Sequence, residues 1–304
     1  MEKDSQLSYS QLFFQIENLV KKANRLKNQP VLIKQKYESP ALNKLDKNKP
    51  LIVIFGEQHP GSNVNELNFA RTNRALLNTL VTVCGDSELP IKSFIKEGCS
   101  ELEAYEKLGK KTIEELLVLG LSPLQVYINK INPEIEVKVV ESIEIFLEFA
   151  LLSFLYASRP GNARFSEVEM QRIMYIISDG LDYDKYMLVK TMTLKLQEKL
   201  KLFEMIEEKF VKKVKFETDF GEVSLLALRS NIEELVDEAT LQQFDLRVAK
   251  ALFESAKARD AYVAKTVSEF EPGVYPMFFG EYHIDNLIKS FEELKVGLIV
   301  LSPF

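Results

Sequence analysis

Five apolar residues in a row, Leu51-Ile52-Val53-Ile54-Phe55, stop at Gly56-Glu57-Gln58-His59. The arrangement returns near the C-terminus, where Met277-Phe278-Phe279 runs into Gly280-Glu281-Tyr282-His283. The chain has only two histidines, and each stands at the same offset behind a Gly-Glu that closes an apolar run. A short run that is apolar at every position and bounded by glycine is the pattern of a strand buried on both faces, as in parallel sheets covered by helices. Such sheets bind ligands where the chain leaves the carboxyl ends of the strands. In an extended segment residues two apart point to one side. Glu57 and His59 are therefore expected to face one way, and Glu281 and His283 likewise. A glycine at each exit is expected to supply a sharp turn or a positive φ.

The rest of the chain supports an α/β fold: a mixed, largely parallel central sheet flanked by helices, with a large helical insertion. Further strands are expected at 31–34 (a short edge strand), 91–97, 135–140, 275–279 and 296–301. Leu12, Phe13, Ile16, Leu19, Val20 and Ala23 have helical spacing and predict one amphipathic helix within 6–27. Other helices are expected from about 63 to 83, at 101–107, from 112 to 119 and on toward 130, at 251–269, and from Asp285 as N-cap to 294. Between 143 and about 270 apolar stripes alternate with lysine and glutamate. The domain reading is therefore 1–142 as the first half of the core, 143–272 as a helical insertion or cap, and 273–304 as the C-terminal part of the core.

Composition narrows the setting. The chain of 304 residues is 46% hydrophobic and 28% charged, ordinary for a globular protein. Its net charge of -6 argues against a general nucleic-acid binder. The basic run 209–215 is flanked by Glu204, Glu207, Glu208 and Glu217 and reads as a solvated helix end. Cys84 and Cys99 form at most one pair, so a reducing compartment is the simpler reading. No apolar window reaches the ~20 residues of a membrane span, and no signal peptide is evident. A cytoplasmic protein is expected, with export by a specialised secretion system as the alternative.

Two more carboxylates fall at strand ends. Glu97, in Lys96-Glu97-Gly98, repeats the strand-carboxylate-glycine arrangement and is read as a site residue; Glu141 is equally a helix cap. Ser62 and Asn63 follow the first motif and are read as helix N-caps rather than as a nucleophile. Arg259 lies on the apolar stripe of its helix (Leu252, Ala256, Val263, Thr266), where an inward charge must be paired. It is expected to offset the carboxylates of the rim. Asp260 beside it either orients a partner or is a surface carboxylate.

Taken in order, Gly56-Glu57-Gln58-His59, Glu97, Arg259-Asp260 and Gly280-Glu281-Tyr282-His283 resemble the superfamily of erythromycin esterases, ChaN-like proteins and TraB/Tiki proteins. The resemblance spans most of the chain but rests on about a dozen residues. The Gly-Glu-x-His spacing looks most like the haem-binding ChaN-like branch. The esterase branch is usually spaced Gly-Glu-x-x-His and uses a histidine as general base, and the Tiki branch implies metal-dependent peptidase chemistry. The resemblance implies that Glu57, His59, Glu97, Arg259 and His283 line one cleft. This chain lacks the lipoprotein cysteine, and its helical insertion gives no clue to substrate.

The expected function is hydrolysis of an ester or peptide bond, on a small-molecule or peptide substrate, with water activated between His59 and a carboxylate such as Glu97. Arg259 or His283 would stabilise the oxyanion. A divalent metal (Mn, Zn or Co) held by His59, His283, Glu57 and Glu281 is the near variant. The alternatives are haem binding, with His59, His283 or Tyr282 as axial ligand, and a degenerate interaction protein.

Overall fold

The computed structural model describes residues 8–39, 48–57, 66–86, 88–96, 135–157, 191–192, 194–196, 198–201 and 236–303. The expected helices at 101–107 and 112–130, the caps Ser62 and Asn63, the basic run 209–215, and the candidates His59 and Glu97 lie outside the described residues. The chain divides into two compact units, one of residues 1–141 with 260–304, the other of residues 142–259.

The first unit contains the sheet. Among the described residues it has six strands: β1 (Lys34–Glu38), β2 (Leu51–Glu57), β3 (Ser93–Lys96), β4 (Glu136–Val139), β5 (Val274–Gly280) and β6 (Gly297–Ser302). Their order is β1-β6-β2-β5-β3-β4. Only β1 runs antiparallel; β6, β2, β5, β3 and β4 are mutually parallel. The fold is α/β, and the central strands β2, β5 and β6 are buried at every residue.

Helix α1 (Tyr9–Ala23) begins at Ser8, whose side chain accepts from the Gln11 backbone while Gln11 bonds back to Ser8, a capping box. It buries Leu12, Ile16, Leu19, Val20 and Ala23. Helix α2 is Glu66–Cys84. Helix α3 (Ile143–Ala157) belongs to the second unit. Helix α4 (Glu238–Ser268) starts 13 residues before the expected 251. Val263, Ala264 and Val267, near its end, are core residues of the sheet unit, so that unit takes in 260–272 as well as the strand region read from 273. Helix α5 is Ile284–Glu293 and is followed by Lys295 at φ 55, a left-handed residue of the kind that ends helices. No described helix is long and apolar enough to cross a membrane.

The edge strand lies at 34–38 rather than 31–34. Asn24 already holds both backbone groups of Ile33: its Nδ2 donates to the Ile33 carbonyl at 2.8 Å and its Oδ1 accepts from the Ile33 N–H at 2.8 Å. Pairing with β6 therefore starts one residue later, at Lys34↔Ser302. A second local adjustment surrounds Pro276, inside the central strand β5. It pairs in register with Val53 of β2 on one side. On the other side β5 meets β3 only at Met277 and Phe278, with an isolated bridge at Val274. The ladder skips the residue that has no N–H to give.

Alternation along β2 sorts the core into two clusters. Leu51, Val53 and Phe55 pack with α1 and with Ala75, Leu76, Leu77 and Leu80 of α2. Ile52 and Ile54 pack on the opposite face with Ile284, Leu287 and Phe291 of α5 and with Val263, Ala264 and Val267 of α4. The chain thus leaves β2 toward one face and leaves β5 toward the other, although β2 and β5 are parallel neighbours. That is a topological switch point, where a parallel sheet opens a crevice at its carboxyl edge.

Candidate active site at the carboxyl edge of the sheet

The two Gly-Glu motifs end on the two strands that form the switch point. In register Gly56 is the partner of Phe279, and Glu57 that of Gly280. The second motif is therefore shifted one residue outward from the first. Glu57 is buried at the end of β2, and its alternation with Phe55 puts it on the α1/α2 face. His283 lies just beyond the end of β5, on the α4/α5 face with Phe279.

Neither glycine works as expected. Gly56 remains inside the strand and Gly280 has φ -56 and ψ 140, a conformation open to any residue. What Gly56 supplies is room: a Cβ there would stand 2.6 Å from Ile284 Cδ1. It lets the first residue of α5 come down onto the sheet, directly after His283.

The exit after β5 also differs from the extended chain that the spacing suggested. Glu281–His283 form one 3₁₀ turn, so Glu281 and His283 do not share a side. Glu281 ion-pairs with Lys36 of the edge strand at 3.5 Å. Tyr282 is 73% exposed, so its ring stands in solvent. His283 turns inward. Its Nδ1 lies 2.7 Å from Oδ1 of Asp260, which is fully buried on α4. Asn286, one turn into α5, donates from Nδ2 to the other oxygen, Oδ2, at 2.9 Å. The Phe279 ring meets the imidazole edge-on, with centroids 6.1 Å apart.

A carboxylate facing Nδ1 is met as an N–H donor, which leaves Nε2 as the basic nitrogen. The imidazole side chain keeps 8% exposure, so the ring is shielded but not sealed. The Asp260 of the sequence reading is thus the orienting carboxylate. Asn286 escaped the sequence reading; its signal was the i, i+3 spacing from His283 on one helix face. Lys96 was also missed. It is buried at the end of β3, in register with Phe278, and Glu141 is buried just beyond β4 at the same edge. A groove of about 520 Å³ runs along β4 to Glu141, walled by Tyr262, Thr266 and Phe270 of the α4 side, two strands away from β5.

Arg259 is 1% exposed in the second unit. Its guanidinium lies over the rings of Phe149 and Phe146, at 4.8 and 5.6 Å from their centroids. The inward arginine predicted from the helical stripe is met by aromatic faces, which a guanidinium stacks on well.

The described residues do not assemble a metal site. Among them no group of three or more His, Cys, Asp or Glu is placed to hold an ion, Glu281 is drawn to Lys36, and the Nδ1 of His283 is committed to Asp260. No family model, curated protein or solved structure matches this chain.

Proposed function

We propose that the switch point between β2 and β5 is a hydrolytic site for ester or peptide bonds, with His283 as general base. The observation that carries this reading is the 2.7 Å contact between His283 Nδ1 and the buried Asp260, beside the carboxyl ends of two parallel strands whose connections diverge. Paired this way, the imidazole takes a proton at Nε2 from a water that attacks the substrate carbonyl carbon. The tetrahedral intermediate then collapses. Its leaving alcohol or amine receives that proton back from the imidazolium, and a carboxylic acid remains. Asp260 stays ionised throughout and stabilises the transient imidazolium, as the carboxylate of a hydrolase triad does. Glu57, at the adjoining strand end, adds a carboxylate to the same edge. The order of the short motifs supports placing the chain as a distant member of the erythromycin-esterase, ChaN-like and TraB/Tiki superfamily; their Gly-Glu-x-His spacing looks most like the ChaN-like branch, and it is the His283–Asp260 pair, not the spacing, that favours a histidine base.

The test is a broad ester and peptide screen on wild type, H283A and D260N, with elemental analysis and a chelator arm. General base catalysis is worth about 10²–10⁴-fold, so both substitutions are expected to lower kcat by that order with the fold intact. Turnover that survives H283A overturns the mechanism. Turnover abolished by chelation and restored by Mn, Zn or Co replaces it with metal-activated water. A Soret band on adding haemin, with no turnover of any substrate, replaces it with haem binding.

A further inference from the structure

Asp260 is held at both oxygens by residues of a single turn. His283 is the N-cap of α5 and takes Oδ1; Asn286 is the third residue of α5 and takes Oδ2. The carboxylate thus sits against the first turn of a ten-residue helix, where the helix dipole favours an anion. One contact alone would leave it free to rotate about its Cβ–Cγ bond, and rotation swings Oδ1 out of line with Nδ1. A second contact on the other oxygen fixes the plane. The chemistry of the second donor matters as well. An amide N–H is neutral, so it occupies Oδ2 without cancelling the charge that the imidazolium needs.

We infer that Asn286 is a positioning residue: by pinning Asp260 it decides which ring nitrogen of His283 carries the proton. The inference rests on the proposed role of His283, and its readout does not depend on turnover. The chain has only two histidines, so ring-nitrogen NMR spectra of ¹⁵N-labelled protein contain two imidazoles, and H59Q assigns them. In wild type His283 is expected as the pure Nδ1–H tautomer. N286A is expected to show a mixture of the two neutral tautomers and a kcat lowered about 10-fold, the lower end of the loss seen when the partner that orients a metal-bound imidazole is removed, with KM unchanged. N286D keeps the shape but sets a second carboxylate against Asp260, and must also change the His283 ring signals. Circular dichroism confirms that each variant is folded. If N286A fails to fold, N286D decides the question.

Wild-type tautomer signals in the folded variant or variants overturn the inference. A tautomer change in a protein that hydrolyses nothing supports the role of Asn286 and removes the hydrolytic reading instead.

Discussion

Replacing Gly56 with alanine tests how the sheet and the histidine are coupled. The new Cβ would lie 2.6 Å from Ile284 Cδ1, about 1 Å inside the ~3.5–4.0 Å at which carbon atoms attract. Ile284 is 1% exposed and packed with Leu287, Phe291 and Ile54, so its terminal methyl cannot swing into solvent. Overpacking of this kind costs about 1–3 kcal/mol. The alanine recovers part of it, because glycine in a strand forfeits roughly 0.5–1 kcal/mol of chain entropy. A net loss of about 1–2 kcal/mol is expected, or roughly 2–8 °C in Tm for a domain of 150–250 residues. I284V removes the clashing Cδ1 and by itself costs about 0.5–1.5 kcal/mol. In the I284V background only the glycine-to-alanine gain is left, so G56A should be neutral to stabilising by up to about 1 kcal/mol, giving a favourable coupling of about 1–3 kcal/mol, the size of the relieved overpacking. The four proteins are compared by thermal and urea unfolding, followed by circular dichroism in the transition that loses the sheet. Because Ile284 follows His283 directly, turnover should fall in G56A and recover in G56A/I284V. Equal cost of G56A in both backgrounds would refute the close-approach argument.

Two further outcomes follow from buried groups. R259K keeps the charge but loses the flat guanidinium that lies over Phe149 and Phe146; a loss of about 1–2 kcal/mol is expected from desolvated cation–π contacts, and wild-type stability in thermal unfolding would show that stacking does not hold this side chain. Burial pushes the Cys84 thiol up to about 12, so its uncharged form persists through pH 8 and the reactive thiolate is almost absent. Iodoacetamide should leave Cys84 unmodified in the folded protein and alkylate it in urea, as read by peptide mass mapping; labelling of the native protein at the rate of a free thiol would contradict this.

Much of the sheet was legible because its strands are apolar without interruption. Residues 51–55, 275–279 and 296–301 admit no amphipathic helix of ordinary length, and they became β2, β5 and β6 with ends moved by a residue or two. The edge strand was misplaced because its start depends on Asn24, whose amide claims the backbone of Ile33 from nine residues away. The sequence suggests Asp285 as the cap of α5, but the N-cap is His283, two residues earlier, and Asp285 lies in the first turn. Of the candidate site, the two strand-end motifs could be read from the sequence, but the contact of Asp260 with His283 could not, since the two are 23 residues apart on different elements. The burial of Arg259, in the second unit, could be read from its helical stripe.

The sequence by itself determined that two short apolar runs would be buried strands and that each would end in Gly-Glu with a histidine just beyond. Local residue pattern suffices for that, because a strand's burial is written in the alternation, or lack of it, along a few positions. Only the tertiary structure decided that those strands are parallel neighbours leaving toward opposite faces, that the second exit coils into a 3₁₀ turn, and that one imidazole therefore meets Asp260 while Glu281 meets Lys36. The physical reason is that a side chain's direction past the end of a strand is set by the helix that follows and by the room a glycine leaves for it, and neither is a property of the four residues of the motif.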